Sequence, residues 1–170
     1  MLTFEVNKQE PVSISSSWLK KIAESFAQEN KLTGQWHFSL AFVDNKTIRK
    51  FNRLYRGQDC ATDVLSFSEE NNKFGNLTEE KKYLGEIIIS VSQAKKQARE
   101  LGCSLPNEVA RLLVHGLAHL AGYDHEGQDP KNARKMLKLE KRVLIKLKIW
   151  PIFKFEEEET LRITFLQNLK

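Results

Sequence analysis

Apolar and polar positions along the chain predict four β-strands. Leu2, Phe4 and Val6 alternate with polar residues, as expected of a first strand with one buried face. The other three are short apolar runs bounded by polar or turn-forming residues, at positions 36–43, 64–67 and 84–90. The polar segment 69–82, which separates the last two runs, is expected to form a mobile loop or an extended edge.

Apolar residues that recur every three or four positions predict five helices. In the second helix, Ile48, Phe51 and Tyr55 are expected to pack against the core, behind an N-cap at Asp44 or Asn45. The other helices are expected to begin after the serines at 15–17, at Ser92, near Pro106 and near Pro130, and to end near residues 30, 101, 122 and 148. Strands come first and helices accumulate later, so we expect an α+β fold in which helices flank one small mixed sheet of about four strands.

Length, composition and net charge give general expectations about the domain organisation, location and partners of the protein. We expect residues 1–150 to form one domain and residues 151–170, with glutamates at 156–159, to form an acidic tail. No run approaches the roughly 20 apolar residues of a membrane helix, and no secretory signal is visible, so a cytoplasmic protein is expected. Cys60 and Cys103 are widely spaced and are expected to remain thiols. The net charge of +5 weakly favours a polyanionic partner.

Three of the four histidines lie within a short stretch, at His115, His119 and His125. Residues four apart share one face of a helix, so the first two can present their imidazoles to a single ion. Gly122 can adopt a left-handed conformation that ends the helix and turns the chain back to deliver His125. Three protein ligands leave one coordination position open, as in catalytic zinc sites, and the stretch therefore predicts a catalytic metal centre.

The spacing H-x-x-x-H-x-x-G-x-x-H also occurs in metzincin proteases, where a glutamate after the first histidine is the general base. Here that position is Gly116, so the metal ligands are present and the protease base is absent. Leu112, Leu113 and Leu117 show that the helix is also a core element. The alternative interpretation is therefore that the imidazoles serve only as packing groups.

Four segments, taken together and in order, resemble one protein family. They are FNRLYRGQD at 51–59, TDVLSF at 62–67, LGEIIIS at 84–90 and the histidine stretch at 115–125. This combination resembles the YbeY family of bacterial metal-dependent endoribonucleases, which take part in ribosomal RNA maturation. The resemblance covers roughly residues 36–145.

The resemblance implies one zinc ion held by His115, His119 and His125, a functional arginine at Arg56, and a small mixed sheet flanked by helices. The family usually has proline where this chain has Ala61 and Ser68. These departures loosen two turns but remove no reactive group, so the site is expected to survive them.

The chemistry of these residues suits phosphodiester cleavage. Zinc on the three histidines would lower the pKa of bound water towards about 7 and polarise a phosphoryl oxygen. Histidine ligates only when neutral, so activity should fail well below about pH 6.5. The expected catalytic residues are His115 and Arg56, whose guanidinium can grip two phosphate oxygens. Arg49 and Arg53 share a helix face with Arg56 and could instead form a solvated charged surface.

Other polar residues leave alternatives open. Asp63 either supports the site from its strand or caps a turn, and Asp124 either orients an imidazole or forms part of a turn. The general base is not identified. The last helix carries one acidic residue, Glu140, and is otherwise strongly basic. It could follow an RNA backbone or be an ordinary soluble surface. The basic residues at 131–148 are Lys131, Arg134, Lys135, Lys138, Lys141, Arg142, Lys146 and Lys148.

The leading hypothesis is a zinc-dependent, single-strand-specific endoribonuclease acting on ribosomal RNA precursors. Its expected partners are ribosomal RNA and the small ribosomal subunit or proteins associated with it. The second hypothesis is a ribosome-assembly or RNA-binding factor whose metal is structural. A metallopeptidase is a third, and Gly116 counts strongly against it.

Overall fold

The computed structural model describes residues 1–68, 82–124 and 129–149. Within these ranges the elements are β1 Leu2–Lys8, α1 Ser16–Glu29, β2 Trp36–Val43, α2 Asn45–Arg56, β3 Val64–Ser68, β4 Lys82–Ser90, α3 Val91–Glu100, α4 Leu105–Leu120 and α5 Pro130–Lys146. The predicted strands and helices are confirmed, with small differences at their ends. Of the predicted loop only residue 82 is described, as the start of β4, and the predicted acidic tail lies outside the described residues.

The four strands form one mixed sheet in the order β1-β2-β4-β3. β1, β2 and β4 run parallel, while β3 pairs antiparallel with β4 and forms an edge of the sheet. Parallel neighbours need a crossover connection, which α1 provides between β1 and β2. The predicted α+β class and small mixed sheet are therefore confirmed.

The helices cover the two faces of the sheet unequally. The larger core lies between the sheet and α1, α4 and α5, around fully buried side chains such as Phe26, Phe38 and Leu117. The second face carries a smaller cluster in which Ile48 of α2 packs with Leu65 and Ile88. As a result α4 is held against the sheet beside β3 and β4, while α2 lies on the opposite face.

The predicted burial of Tyr55 is wrong, because its side chain is 61% exposed. Ile48 and Asn52 are the buried residues of α2, and Phe51 is half-buried. Tyr55 follows one turn later and contacts Phe67 of the edge strand. Among the described residues no strand lies beyond β3, so the sheet has no further surface to cover the last turn of the helix.

Helix caps follow the local chemistry of the chain. Asp44, not Asn45, caps α2, since its carboxylate accepts a hydrogen bond from the backbone N–H of Thr47 at 2.7 Å. The predicted start of α3 at Ser92 is slightly wrong. Ser90 is both the last residue of β4 and the N-cap of α3, since its hydroxyl accepts a hydrogen bond from the backbone N–H of Gln93. The helix therefore begins one residue earlier than predicted.

Two further sequence predictions can be compared with the structure. Cys60 and Cys103 are both free thiols, as predicted. None of the helices in the described ranges is long and apolar enough to cross a bilayer.

Candidate functional site

Helix α4 reaches solvent along one narrow stripe. From Glu108 to Leu120 every residue is buried except Arg111, His115 and His119, which are partly exposed. These three lie at successive intervals of four residues and therefore on one face of the helix. The fold thus buries the apolar sides of α4 and leaves one partly exposed stripe of an arginine and two histidines.

The two histidines of the stripe contact each other. The ring centroids of His115 and His119 lie 4.8 Å apart, and their planes are inclined at 79°. The structure therefore brings these two predicted ligands together on one face, as their spacing indicates. Tertiary packing leaves both rings at the surface of the helix, which removes the alternative in which they are fully buried packing groups.

Glu140 of α5 fixes the first of these rings. One of its carboxylate oxygens lies 2.8 Å from Nδ1 of His115. A carboxylate only accepts, so this contact requires a proton on Nδ1 and makes Nε2, across the ring, the nitrogen suited to bind a metal. Sequence reasoning missed this role, although a single acid within a strongly basic helix was a usable signal.

The chain turns back immediately after His119, as predicted. Gly122 has a φ of +86°, in the left-handed region, and its N–H donates to the carbonyl of His119 at 3.0 Å. The N–H of Tyr123 donates to the carbonyl of Ala118 at 3.0 Å, which completes a Schellman motif. The Tyr123 hydroxyl also donates to the side chain of Asn30, so the turn is tied to the end of α1.

The third predicted ligand, His125, lies outside the described residues, so the complete ligand set stays a prediction. Within residues 1–68, 82–124 and 129–149, no group of three histidine, cysteine, aspartate or glutamate side chains is placed to hold a metal ion. Asp124 follows the turn and is exposed. The described part of the site is therefore two histidines, the carboxylate behind one of them, and the turn that leads towards the third.

Gly116 packs closely against the sheet. A Cβ atom at this position would lie 3.0–3.2 Å from three carbon atoms of the Ile87 side chain, which is fully buried in β4. A side chain here would require Ile87 to shift by a few tenths of an ångström. The position that holds the general base in metzincins therefore lies against Ile87 of β4 in this chain, where glycine fits without any such shift.

Arg111, the third residue of the stripe, is the centre of a charged network. Arg111 donates from Nη2 to the fully buried Glu108 at 2.6 Å and lies 3.8 Å from Asp63. Gln97 of α3 donates to the same Asp63 carboxylate at 2.9 Å. Sequence reasoning missed Arg111, Glu108 and Gln97, although Glu-x-x-Arg within an apolar helix indicates an ion pair.

The pKa values of the two carboxyl groups in this network shift in opposite directions. Burial acts to raise the pKa of Asp63, but the bond from Gln97 and the charge of Arg111 outweigh it and lower that pKa. Burial dominates at Glu108 and raises its pKa against the opposing effect of Arg111. Asp63 also accepts from the N–H of Val64 and lies beside Arg111 of α4, so it links the start of β3 to that helix.

The arginines of α2 differ in their environments. Arg49 donates two hydrogen bonds to Asp59, at 2.9 and 2.8 Å, and these bonds lower the pKa of the aspartate. Arg53 and Arg56 are exposed in the last turn of the helix. These arginines are on α2, which packs on the face of the sheet opposite to α4.

The basic residues of α5 also fall into two groups. Arg142 and Lys146 both donate to the carboxylate of Glu29, at 3.2 and 3.1 Å, and so hold α5 against α1. The bond from Lys146 is the largest influence that lowers the pKa of Glu29. Four others near the start of the helix are exposed: Lys131, Arg134, Lys135 and Lys138.

Comparison with known proteins places the chain in a family. The family model described as endoribonuclease YbeY matches residues 3–148. An endoribonuclease YbeY of Sulfurihydrogenibium sp. is 40% identical over 134 residues, which cover 79% of this chain and 84% of the relative. That of Syntrophomonas wolfei is 35% identical over 157 residues, covering 88% and 99%. A solution structure from Thermotoga maritima matches with a TM-score of 0.55 at 28% identity and covers 92% of this chain and 98% of the other. The chain therefore belongs to the endoribonuclease YbeY family.

Proposed function

We propose that this protein is a zinc-dependent endoribonuclease that cleaves single-stranded RNA in the maturation of ribosomal RNA in the cytoplasm. The observation that carries the proposal is the solvent-facing stripe of α4, where two histidines stand one turn apart and a carboxylate holds the first. Family membership supports RNA as the substrate, because the relatives bear the name endoribonuclease. Ribosomal RNA and the small ribosomal subunit or its proteins are the partners we propose.

The two described histidines are suited to zinc. His115 and His119 would supply two imidazole nitrogens, and His125 would supply the third ligand. Imidazole is a preferred ligand of zinc, and the Glu140 contact provides the outer hydrogen bond that metal-binding histidines usually make. When bound, zinc supplies Lewis-acid chemistry that lowers the pKa of water and polarises a phosphoryl oxygen.

The protein's own groups position the reaction. Glu140 fixes the orientation of His115, which we propose is both a ligand and a catalytic residue. The Arg111 network holds the stripe rigidly against α3 and β3. Arg56 presents a planar guanidinium whose N–H groups would bind phosphate oxygens of the RNA backbone. Gly116 has no side chain and so cannot serve as a general base.

Removal and return of the metal tests this function. Dialysis against a chelator should abolish cleavage of a single-stranded oligoribonucleotide, and addition of about one zinc ion per chain should restore it, since the histidines supply no Lewis acid themselves. The same sequence held in a duplex is the control and should be cleaved far more slowly. Full cleavage by the chelated protein, with metal content verified on the same sample, would contradict the proposal.

A second candidate is an RNA-binding assembly factor with a structural metal. The exposed cations of α5 favour it, because they could follow an RNA backbone without any chemistry. The same experiment separates the two functions. A protein that retains zinc and binds RNA but does not cleave it would be the assembly factor.

Glu140→Gln is expected to weaken zinc binding by about 10- to 100-fold, the usual effect of losing an outer-shell carboxylate on a metal-binding histidine. The amide has nearly the same shape but no charge, so it holds the imidazole less strongly. Competition with a chromophoric chelator measures the affinity. Glu29→Gln is the matched control, since Glu29 also binds residues across helices but lies on α1, where it pairs with Arg142 and Lys146. Equal zinc affinities for the two variants would show that Glu140 does not position the metal ligand.

A further inference from the structure

The last turn of α2 exposes an unusual pair of side chains. Leu54 and Tyr55 are neighbours in the chain, and their side chains are 66% and 61% exposed. Burying apolar surface of this size is favourable, so leaving a leucine and an aromatic ring in water has a cost for the free protein. Exposed apolar surface of this kind can mark a binding surface.

Two other rings hold Tyr55 in place. Its ring is stacked beside Phe51, with centroids 6.2 Å apart and planes inclined at 21°. Phe67 of β3 meets it edge-on, with centroids 5.0 Å apart and planes inclined at 61°. Both phenylalanines are themselves partly buried against the second face of the sheet. The Tyr55 ring is therefore a supported aromatic surface and not a freely rotating side chain.

The charge of α2 indicates what this surface binds. Between residues 45 and 56 the helix carries five basic residues and no acidic one: Lys46, Arg49, Lys50, Arg53 and Arg56. Asp59 forms an ion pair with Arg49, and the other four basic residues of α2 make the helix strongly positive around the exposed ring. Aromatic rings beside clustered cations are the combination with which proteins bind single-stranded nucleic acid, since bases stack on the rings and phosphates meet the cations.

The position of the ring in the fold connects it with the histidine stripe. Phe67 is the penultimate residue of β3, and its carbonyl lies beside Gly85 of β4, which also adjoins the side chain of Leu120 in α4. Leu120 follows His119 directly. The aromatic surface and the histidine stripe thus flank the same end of the edge strand, from opposite faces of the sheet.

We propose that Tyr55, supported by Phe51 and Phe67, is a stacking platform for one unpaired base of single-stranded RNA, and that the cations of α2 bind the neighbouring phosphates. The inference rests on the proposed function for the class of ligand but concerns binding and not cleavage. It adds to the site a residue that recognises the single-stranded state, because a base paired within a helix has no free face to offer Tyr55.

Fluorescence anisotropy with a labelled, unstructured oligoribonucleotide of about ten nucleotides tests the platform in the full-length, zinc-loaded protein. Tyr55→Ala should weaken binding by about 5- to 150-fold, the effect of losing one base–aromatic stack. Tyr55→Phe keeps the ring and should bind within about twofold of wild type. Leu54→Ala is the matched control, since it removes an equally exposed apolar side chain that has no ring to stack, and it should also change affinity by less than about twofold.

Three outcomes would overturn the platform. Equal RNA affinities for Tyr55→Ala and wild type would show that no base stacks on Tyr55. Equal losses in Tyr55→Ala and Leu54→Ala would point to a general apolar patch, as expected for a protein partner. If Tyr55→Phe lost as much RNA affinity as Tyr55→Ala, the hydroxyl group and not the ring would account for binding. If zinc-dependent cleavage is absent but the Tyr55→Ala loss appears, the nuclease proposal fails and the RNA-binding platform stands.

Discussion

His119→Ala is expected to lose bound zinc and RNA cleavage together. Zinc content should fall from about one ion per chain to a small fraction of that, because only two of the three proposed histidine ligands would remain. Cleavage should fall by more than about 100-fold, which exceeds the usual effect of an outer-shell substitution. His119 lies on the solvent-facing stripe of α4, so its truncation leaves the core packing intact.

Elemental analysis and cleavage rates measured on the same samples check this result. His37→Ala is the matched control, since it removes the one histidine outside the motif, which lies in β2 and contacts Thr3. That variant should keep both zinc and activity. Loss of zinc from His119→Ala with cleavage unchanged would mean that the activity belongs to a contaminant or to chemistry without this metal. Absence of zinc from the wild type would remove the basis of the metal site.

Arg111→Met is expected to lower the free energy of unfolding by about 3–5 kcal/mol. The substitution leaves the carboxylate of Glu108 without its cation in a position where its side chain has no solvent exposure. Breaking a buried ion pair from one side is strongly destabilising for this reason, whereas replacing both partners with apolar groups is often nearly neutral. Arg111→Met combined with Glu108→Leu should therefore recover most of the loss.

The stability of Arg111→Met should also depend on pH in a defined direction. Burial already raises the pKa of Glu108 above its ordinary value of 4.5, and loss of the cation should raise it further. Between the unfolded and folded pKa values the native state binds more protons, so stability falls as pH rises through that window and returns on acidification. Asp63 affects stability in the opposite direction. Folding lowers its pKa, so its contribution to the free energy of unfolding is lost only as pH falls below about 3.8, its value in the unfolded chain.

Urea unfolding at pH 5 and pH 8, with excess chelator so that metal binding does not contribute, separates these effects. Arg111→Met should be more stable at pH 5 than at pH 8 by a larger margin than wild type. The double variant should show no such extra dependence, because it lacks the carboxyl group. An equal loss of stability in the single and double variants would show that the packing of the arginine stem, and not the unpaired charge, accounts for the effect.

Local features of the chain were predictable because they depend on neighbours in sequence. The alternation in β1 and the apolar stripes of the helices follow directly from backbone periods of two and about 3.6 residues. Placement of His115 and His119 on one face needs only a helix, and the left-handed turn at Gly122 needs only a residue without a Cβ atom. For these the sequence alone was sufficient.

Contacts between distant elements were not predictable in the same way. Glu140 meets His115 across 25 positions, and Arg111 meets Asp63 across 48, because α5 and β3 both pack beside α4. The exposure of Tyr55 depends on β3 lying at the edge of the sheet, whereas its spacing from Phe51 suggested burial. Periodicity identifies the apolar side of a helix but not which element covers each part of it.

The sequence by itself thus determined the elements, the α+β class, the pair of histidines on one helix face and the turn that follows them. Tertiary structure decided which carboxylate contacts His115, how closely position 116 packs against Ile87, and which aromatic ring of α2 is exposed to solvent. The physical reason is that local structure depends on backbone geometry and nearby side chains. Each of the other features depends on the order of the strands and on the angle at which each helix packs against the sheet.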